Sequence, residues 1–276
     1  MNGRPDRSPG SARQRGSRDT TGPFGMIILA GGRATRLGGA DKPGLTVGGR
    51  TLLDAVLAAG AEAGARQAVI VGPSRPGVGR LPGGPPVRFV REEPPGAGPV
   101  PSLRRGLDEL GHPADPGDPA AAPWLAVLAA DLPFLRAAHL RALLAAAATR
   151  GGATRDGATR GGAGHEGAVL TDDEGRAQWL AGCWRTEALR HAAGGYSGAS
   201  LHGLLAPLRP ARVRITPGPG EPPPWLDCDT EADLRRARDW HARAGQGASP
   251  ATTTLRSGSP AANRCTCSAT NRAASG

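Results

Sequence analysis

Residues 26–43 read MIILAGGRATRLGGADKP. Five apolar residues, enough for a buried strand, run directly into the glycine pair Gly31 and Gly32. A glycine pair at the carboxyl end of a parallel strand lets backbone N–H groups approach phosphate oxygens closely. The stretch also carries three cations, Arg33, Arg36 and Lys42. It therefore predicts a strand followed by a phosphate-binding turn, which is neither a Walker P-loop nor a G-x-G-x-x-G dinucleotide fingerprint.

The chain beyond this stretch alternates short apolar runs with helical patterns. Strands are predicted at 26–30, 67–71, 87–90, 125–130, 167–171, 179–183 and 211–215. Helices are predicted at 51–63, 99–110, 135–147, 185–192, 198–206 and 230–242. Short all-apolar strands that alternate with helices indicate an α/β fold, in which helices cover both faces of a mostly parallel sheet.

Composition and charge separate the two ends of the chain from its middle. Residues 1–25 and 245–276 are polar, and each carries +3 of the net charge of +10. We expect them to be disordered extensions on either side of one folded domain at 26–244. The domain itself carries only +4, which argues against nucleic acid as its partner. The sequence has neither a long apolar run nor a signal-peptide pattern, so we expect a cytoplasmic protein without a membrane span.

Lys42 stands out because it is the one lysine beside 33 arginines. In so arginine-rich a chain, a surviving lysine marks a position where a compact ammonium group serves better than a wide guanidinium fork. The alternative is chance retention on a solvated surface. Its place in the glycine-rich stretch makes Lys42 a candidate for binding phosphate.

Asp131 lies in the segment WLAVLAADLPFL, residues 124–135. A carboxylate at the carboxyl end of a buried strand is costly as mere packing, and it faces the crevice where ligands bind in open α/β sheets. Beside phosphate groups, a single aspartate is useful chiefly as a Mg²⁺ ligand. The alternative is that Asp131 only caps the next helix.

A further acidic segment, WLDCDTEADL at residues 225–234, precedes the last predicted helix. Thr230 and Asp233 have the spacing of a helix cap. Asp227 and Asp229 accept hydrogen bonds but cannot donate them when ionised. One of them is a candidate for assisting Asp131 with a metal ion.

The pattern Leu-Ala-Gly-Gly-x(3)-Arg-Leu-Gly-Gly-x-Asp-Lys resembles the signature of nucleotidyltransferases that activate cofactors and sugars, in particular the molybdenum cofactor guanylyltransferase family. Residues 130–134 are similar to that family's Cys-Asp-x-Pro-Phe/Tyr, with Ala130 where Cys is common. The resemblance extends over roughly residues 26–240. It implies a three-layer, Rossmann-like nucleotidyltransferase fold.

The same resemblance implies roles for individual residues. The implied nucleotide-binding residues are Leu29, Ala30, Gly31, Gly32, Lys42, Glu93 and Asp131. Asp131 is also implied as the metal ligand, and Arg36 as a further phosphate partner that acts with Lys42 and Asp131 in catalysis.

Two segments depart from the family's pattern. Residues 91–103, REEPPGAGPVPSL, are similar to the family's acid followed by Gly-Pro-Leu-Ala-Gly, but Pro101 and Ser102 replace Ala-Gly. Glu92 therefore remains an alternative to Glu93, and a solvated charged turn remains an alternative to both. Asp227 and Asp229 replace an Asn pair that lies on the family's second-substrate side, so the resemblance implies contact with the second substrate as an alternative to a role in metal binding.

The implied reaction is Mg²⁺-dependent transfer of GMP from GTP to molybdopterin, the organic part of the molybdenum cofactor, with release of pyrophosphate. The Leu-Ala-Gly-Gly start favours GTP, because cytidylyl relatives more often carry Leu-Ala-Ala-Gly. Transfer of CMP to molybdopterin and nucleotidyl transfer to a sugar phosphate remain as alternatives, and a basic nucleic-acid-binding protein without activity is a more distant one. The implied partners are GTP, molybdopterin and proteins of molybdoenzyme maturation, with neither membrane nor nucleic acid.

Overall fold

The structure, a computed structural model, describes residues 22–31, 41–75, 77, 83–111, 122–149 and 164–247. The strands of its main sheet are β1 (Phe24–Leu29), β4 (Ala65–Val71), β5 (Val87–Val90), β6 (Trp124–Ala129), β7 (Gly167–Thr171), β8 (Ala177–Arg185) and β9 (Ala211–Arg214). Their order is β5-β4-β1-β6-β8-β7-β9. Only β8 runs antiparallel to its neighbours, β6 and β7, so the described sheet is mostly parallel.

Helices cover the sheet on both faces. They are α1 (Leu52–Ala63), α2 (Pro99–Glu109), α3 (Ala137–Ala148), α4 (Thr186–Gly195), α5 (Leu201–Leu205) and α6 (Glu231–Gly247). A small antiparallel hairpin stands apart from the sheet and consists of β2 (Thr46–Val47) and β3 (Arg50–Thr51). Within the described ranges, no helix combines the length and the apolar content that crossing a membrane requires.

The predicted elements are all present, and the three-layer α/β fold is confirmed. The differences lie at the boundaries. β1 begins at Phe24, two residues before the predicted start, and Phe24 is buried opposite Trp124 of β6. At the other end, α6 extends to Gly247. The domain bounds 26–244 remain a prediction, and most of the two predicted extensions, residues 1–21 and 248–276, lies outside the described residues. The hairpin was not predicted, because strands of two residues are too short to show an alternating pattern.

The side chains of β1 alternate between the two layers, as a strand buried on both faces requires. Met26 and Ile28 pack with α1 and α3 in one apolar cluster. Ile27 and Leu29 pack with α2, α4 and α5 in another. The apolar run that begins the chain's glycine-rich stretch is thus the centre of the whole core.

A third, smaller apolar cluster lies outside both layers. Its buried members are Val47, Leu52, Cys228, Leu234 and Ala237, and Leu45, Phe134 and Leu226 pack against it. The cluster joins the hairpin, α6 and the segments that follow Lys42 and Asp131 in the chain. It therefore holds together elements that are far apart in sequence.

Candidate active site

The candidate site lies where β1 and β6 end side by side. Because these neighbouring strands are parallel, the residues that follow them leave the sheet at the same edge. The Ala30 N–H donates to the Val71 carbonyl at 2.8 Å, and the Ala130 N–H donates to the Leu29 carbonyl at 3.1 Å. These bonds extend the hydrogen bonding between strands by one residue past the ends of β1 and β6. They place Asp131 at the edge where open α/β sheets bind ligands.

Lys42 joins Asp131 to a second carboxylate. It begins a short 3₁₀ turn, Lys42–Gly44, and its Nζ forms ion pairs with Asp131 and Asp229. Asp229 belongs to the segment before α6 and is 187 residues away in the chain. The side chains of Lys42 and Asp131 are mostly shielded, with 17% and 16% exposed, whereas Asp229 is half exposed. The structure therefore brings three of the predicted site residues together.

The two carboxylates hold Lys42 in its charged form. Desolvation alone would lower the pKa of this ammonium group, but attraction and hydrogen bonding from Asp131 and Asp229 outweigh it. The net result is a pKa for Lys42 above its ordinary value. Lys42 is therefore positively charged at neutral pH, as a phosphate-binding lysine must be.

The acidic segment is anchored at both sides of Asp229. The predicted cap of α6 is present: the Asp233 N–H donates to Thr230 Oγ1 at 3.2 Å, and the Thr230 N–H donates to Asp233 Oδ2 at 3.0 Å. On the other side, Cys228 is fully buried in the third cluster. Burial raises the pKa of the Cys228 thiol to about 12, so this cysteine is an apolar anchor rather than a nucleophile.

Asp227 interacts electrostatically with the other charged residues of the site. Desolvation raises the pKa of Asp227, the nearby carboxylates Asp229 and Asp131 raise it further, and Lys42 opposes them. Three acids therefore surround one lysine. An edge with this balance of charge attracts cations.

The donor set of the site fits a magnesium ion. Asp131 Oδ1 is buried and has no hydrogen-bond partner among the described residues, which leaves one hard oxygen free on a carboxylate that shares Lys42 with Asp229. Within the same ranges, no cluster of three or more His, Cys, Asp or Glu side chains is arranged to hold a metal on its own. Mg²⁺ does not require one, because it commonly binds through one or two carboxylates together with substrate phosphates.

The two glutamates after β5 have different surroundings. Glu92 is buried, whereas Glu93 is exposed. Glu92 Oε1 accepts the Gly96 N–H at 3.0 Å and lies so near Gly31 that a Cβ there would be only 3.2 Å from it. The carboxylate that lies against Gly31 is therefore that of Glu92, and Glu93 as a nucleotide contact remains a prediction.

The remaining predicted residues belong to the glycine-rich stretch itself. The side chains of Leu29 and Ala30 are buried in the core, so only their backbone atoms face the site edge. Gly31 follows at the exposed edge. Gly32 and Arg36 lie outside the described residues.

Comparison with known families decides the class of protein. The profile of the MobA-like NTP transferase domain matches residues 26–213. The chain belongs to this family. This nucleotidyltransferase domain includes Lys42 and Asp131, but the match ends before Asp227 and Asp229. A search of curated proteins finds no match.

Solved structures share the fold of this MobA-like domain. A nucleotidyl transferase from Methanothermobacter thermautotroptrophicus is 19% identical, with a TM-score of 0.57, and the match covers 80% of this chain and 98% of that one. Rv0371C from Mycobacterium tuberculosis H37Rv, solved in complex with manganese, is 20% identical, with a TM-score of 0.51 and coverage of 79% and 99%. A 4-diphosphocytidyl-2C-methyl-D-erythritol synthase is 15% identical, with a TM-score of 0.51 and coverage of 80% and 99%. Identities this low establish the fold alone.

One residue of the site region escaped the sequence analysis. Arg75 follows β4, is buried and forms an ion pair with Asp41, the residue before Lys42. No sequence signal could have singled it out, because it lies in no recognised motif and is one of 33 arginines.

Proposed function

We propose that this MobA-like nucleotidyltransferase transfers GMP from GTP to molybdopterin and releases pyrophosphate. The observation that carries the proposal is the contact of Lys42 with both Asp131 and Asp229 at the carboxyl edge of the sheet. Lys42, the one lysine of the chain, is thus the cation that pairs with Asp131 among the described residues. The Leu-Ala-Gly-Gly start of the stretch supports GTP as the nucleotide.

In this mechanism the chain binds and orients rather than exchanging protons. The acceptor's terminal phosphate is already ionised at neutral pH, so the attack needs no strong general base. The backbone N–H of Gly31 and the Lys42 ammonium bind the β- and γ-phosphates and hold the α-phosphate in line with the acceptor. Lys42 exchanges carboxylate partners for phosphate oxygens as the triphosphate enters.

Asp131 and Asp229 would hold the magnesium ion. When bound, Mg²⁺ neutralises charge on the phosphates and polarises the α-phosphate toward attack. Asp131 offers its unpartnered Oδ1 for this purpose. Asp229, half exposed, can turn from Lys42 toward the ion without leaving a buried charge behind.

The decisive test is the thermal shift of the full chain with GTP, CTP, UTP and ATP, each with and without Mg²⁺. GTP with Mg²⁺ is expected to give a selective rise in Tm that disappears in Asp131→Asn. Asp173→Asn is the matched control, because Asp173 is exposed in the turn between β7 and β8 and makes no contact with Lys42 among the described ion pairs. An assay with molybdopterin and GTP, scored by pyrophosphate release, then tests the acceptor.

The other outcomes are equally informative. A rise with CTP instead of GTP would assign the chain to the cytidylyl branch. Turnover with a sugar phosphate but not with molybdopterin would mean that the acceptor is a sugar phosphate. No shift with any nucleotide, together with tight salt-sensitive binding to nucleic acid, would favour a non-enzymatic basic protein.

A further inference from the structure

Arg75 is one of two charged residues, with Glu92, that are buried among the described residues. The guanidinium group of Arg75 donates hydrogen bonds to three residues. Nε donates to both carboxylate oxygens of Asp41, at 2.8 and 2.6 Å, one terminal nitrogen donates to the Pro73 carbonyl at 3.0 Å, and the other donates to the Ala30 carbonyl at 3.3 Å. The planar guanidinium suits this task, because it presents five N–H donors in a fixed arrangement.

Two of these partners stand at opposite ends of the glycine-rich stretch. Ala30 is the last residue before Gly31, and Asp41 immediately precedes Lys42. The Asp41 carbonyl also accepts the Gly44 N–H at 3.0 Å, so Asp41 begins the turn that carries Lys42. One buried side chain therefore fixes the distance between the end of β1 and the start of the Lys42 turn.

We propose that Arg75 is a positioning residue for the nucleotide, acting through Asp41 and the Ala30 carbonyl. The inference rests on the proposed function. By holding both ends of the stretch, Arg75 keeps the Gly31 N–H and the Lys42 ammonium directed at the same phosphates. Arg75 has no hydrogen bond or ion pair with Lys42, Asp131 or Asp229 among the described contacts, so it orders the binding groups without joining them.

The surroundings of the pair argue for this role over a purely structural one. The Arg75 side chain is 7% exposed, whereas that of Asp41 is 53% exposed. Loss of Arg75 would therefore leave Asp41 in contact with water instead of stranding a buried charge. Water reaches this ion pair at Asp41, and solvated ion pairs contribute little to stability. Replacement of Arg75 by methionine should thus leave the fold intact and remove the connection between Ala30 and Asp41.

The test measures the affinity of the full chain for GTP with Mg²⁺ by calorimetry. Arg75→Met is expected to weaken binding by about tenfold or more, the scale at which supporting partners act on a site, with little change in Tm. The nucleotide KM should rise by the same factor, while kcat at saturating nucleotide falls less than about threefold, because Lys42 and Asp131 are intact.

Further variants separate positioning from loss of charge. Arg75→Lys should recover only part of the affinity, because one ammonium group can reach Asp41 but cannot also span to the Ala30 carbonyl. Asp41→Ala should reproduce the loss, and the double variant should lose no more than either single one, since the two residues act as a pair. The control is Arg185→Met, which removes an arginine whose Nε contacts Glu166 at 3.0 Å at the opposite edge of the sheet.

The outcomes distinguish this inference from the proposed function. Wild-type chain that binds neither GTP nor CTP would overturn the proposed function and this inference with it. Wild-type binding that Arg75→Met and Asp41→Ala leave unchanged would overturn the role of Arg75 alone. Should Arg75→Met fail to fold, Arg75→Lys and Asp41→Ala carry the same test.

Discussion

Lys42 is held at the site by charge rather than by packing. Its ammonium group contacts two carboxylates from different parts of the chain, and both raise its pKa against the effect of desolvation. A compact ammonium can sit between two carboxylates at once, whereas the guanidinium fork prefers to engage one carboxylate with two parallel bonds. The identity of the cation at this position therefore matters, as well as its sign.

Lys42→Arg tests this argument at the site. The variant keeps the charge but not the geometry, and we expect turnover to fall by about a hundredfold or more, the scale of losing one positioned donor. Steady-state kinetics with a melting curve for each variant make the measurement. Arg66→Lys, an exposed exchange on β4, is the control and should be silent. Full activity of the Lys42→Arg variant would mean that the position requires only a positive charge.

Ionisation of Asp227 makes the free energy of unfolding depend on pH, and the direction of this dependence follows from the shift in its pKa. Because its pKa is raised above the ordinary 3.8, the folded chain binds this proton more tightly than the unfolded chain does. The free energy of unfolding therefore falls as pH rises through the interval between the two pKa values. Asparagine does not ionise, so Asp227→Asn should be more stable than wild type at about pH 7, and the difference should vanish below about pH 3.8.

Urea denaturation of both chains across this range measures the effect. Asp173→Asn serves as the control, because that carboxylate lies in an exposed turn outside the acidic group. A difference between wild type and Asp227→Asn that is the same at every pH would contradict the assignment to ionisation.

At the scale of elements, α2 approaches the sheet at Gly106. A Cβ at this position would lie 2.7 Å from Ile27 Cγ2 and 3.1 Å from Val71 Cγ2. Both neighbours are β-branched and buried, so neither can rotate away freely. The absence of a side chain in the middle of this helix therefore sets how closely α2 lies against β1 and β4.

Gly106→Ala should destabilise the domain even though alanine favours helices. Overpacking of a core costs about 1–3 kcal/mol, which exceeds the gain in helix propensity of about 1 kcal/mol. The matched control is Gly194→Ala in α4, where a Cβ would meet no atom within 4 Å and the free energy of unfolding should rise slightly. Urea denaturation should show a lower free energy of unfolding for Gly106→Ala and a higher one for Gly194→Ala. An increase in both variants would mean that α2 moves away from the sheet to accommodate the new side chain.

Across the whole molecule, the sequence predicted what local patterns determine. Strands such as β1 and β6 were recognisable as short apolar runs, whereas β5 and β9 alternate apolar residues with arginine. The shared edge of Gly31 and Asp131 follows from the parallel strands that precede them. The choice of Asp229 rather than Asp227 as the partner of Lys42 was not predictable, since it depends on how α6 packs against the hairpin. Arg75 was not predictable for the same reason, because its partners lie 34 and 45 residues away.

The separation of Lys42 from Asp229 also sets an order of events during synthesis. The chain leaves the ribosome with its amino-terminal end first, so Lys42 and Asp131 emerge long before residue 229. Until then Lys42 has only one of its two carboxylate partners, and the third cluster lacks Cys228, Leu234 and Ala237. The candidate site is therefore complete only once residue 229 has been synthesised, and any shorter nascent chain lacks the ion pair between Lys42 and Asp229.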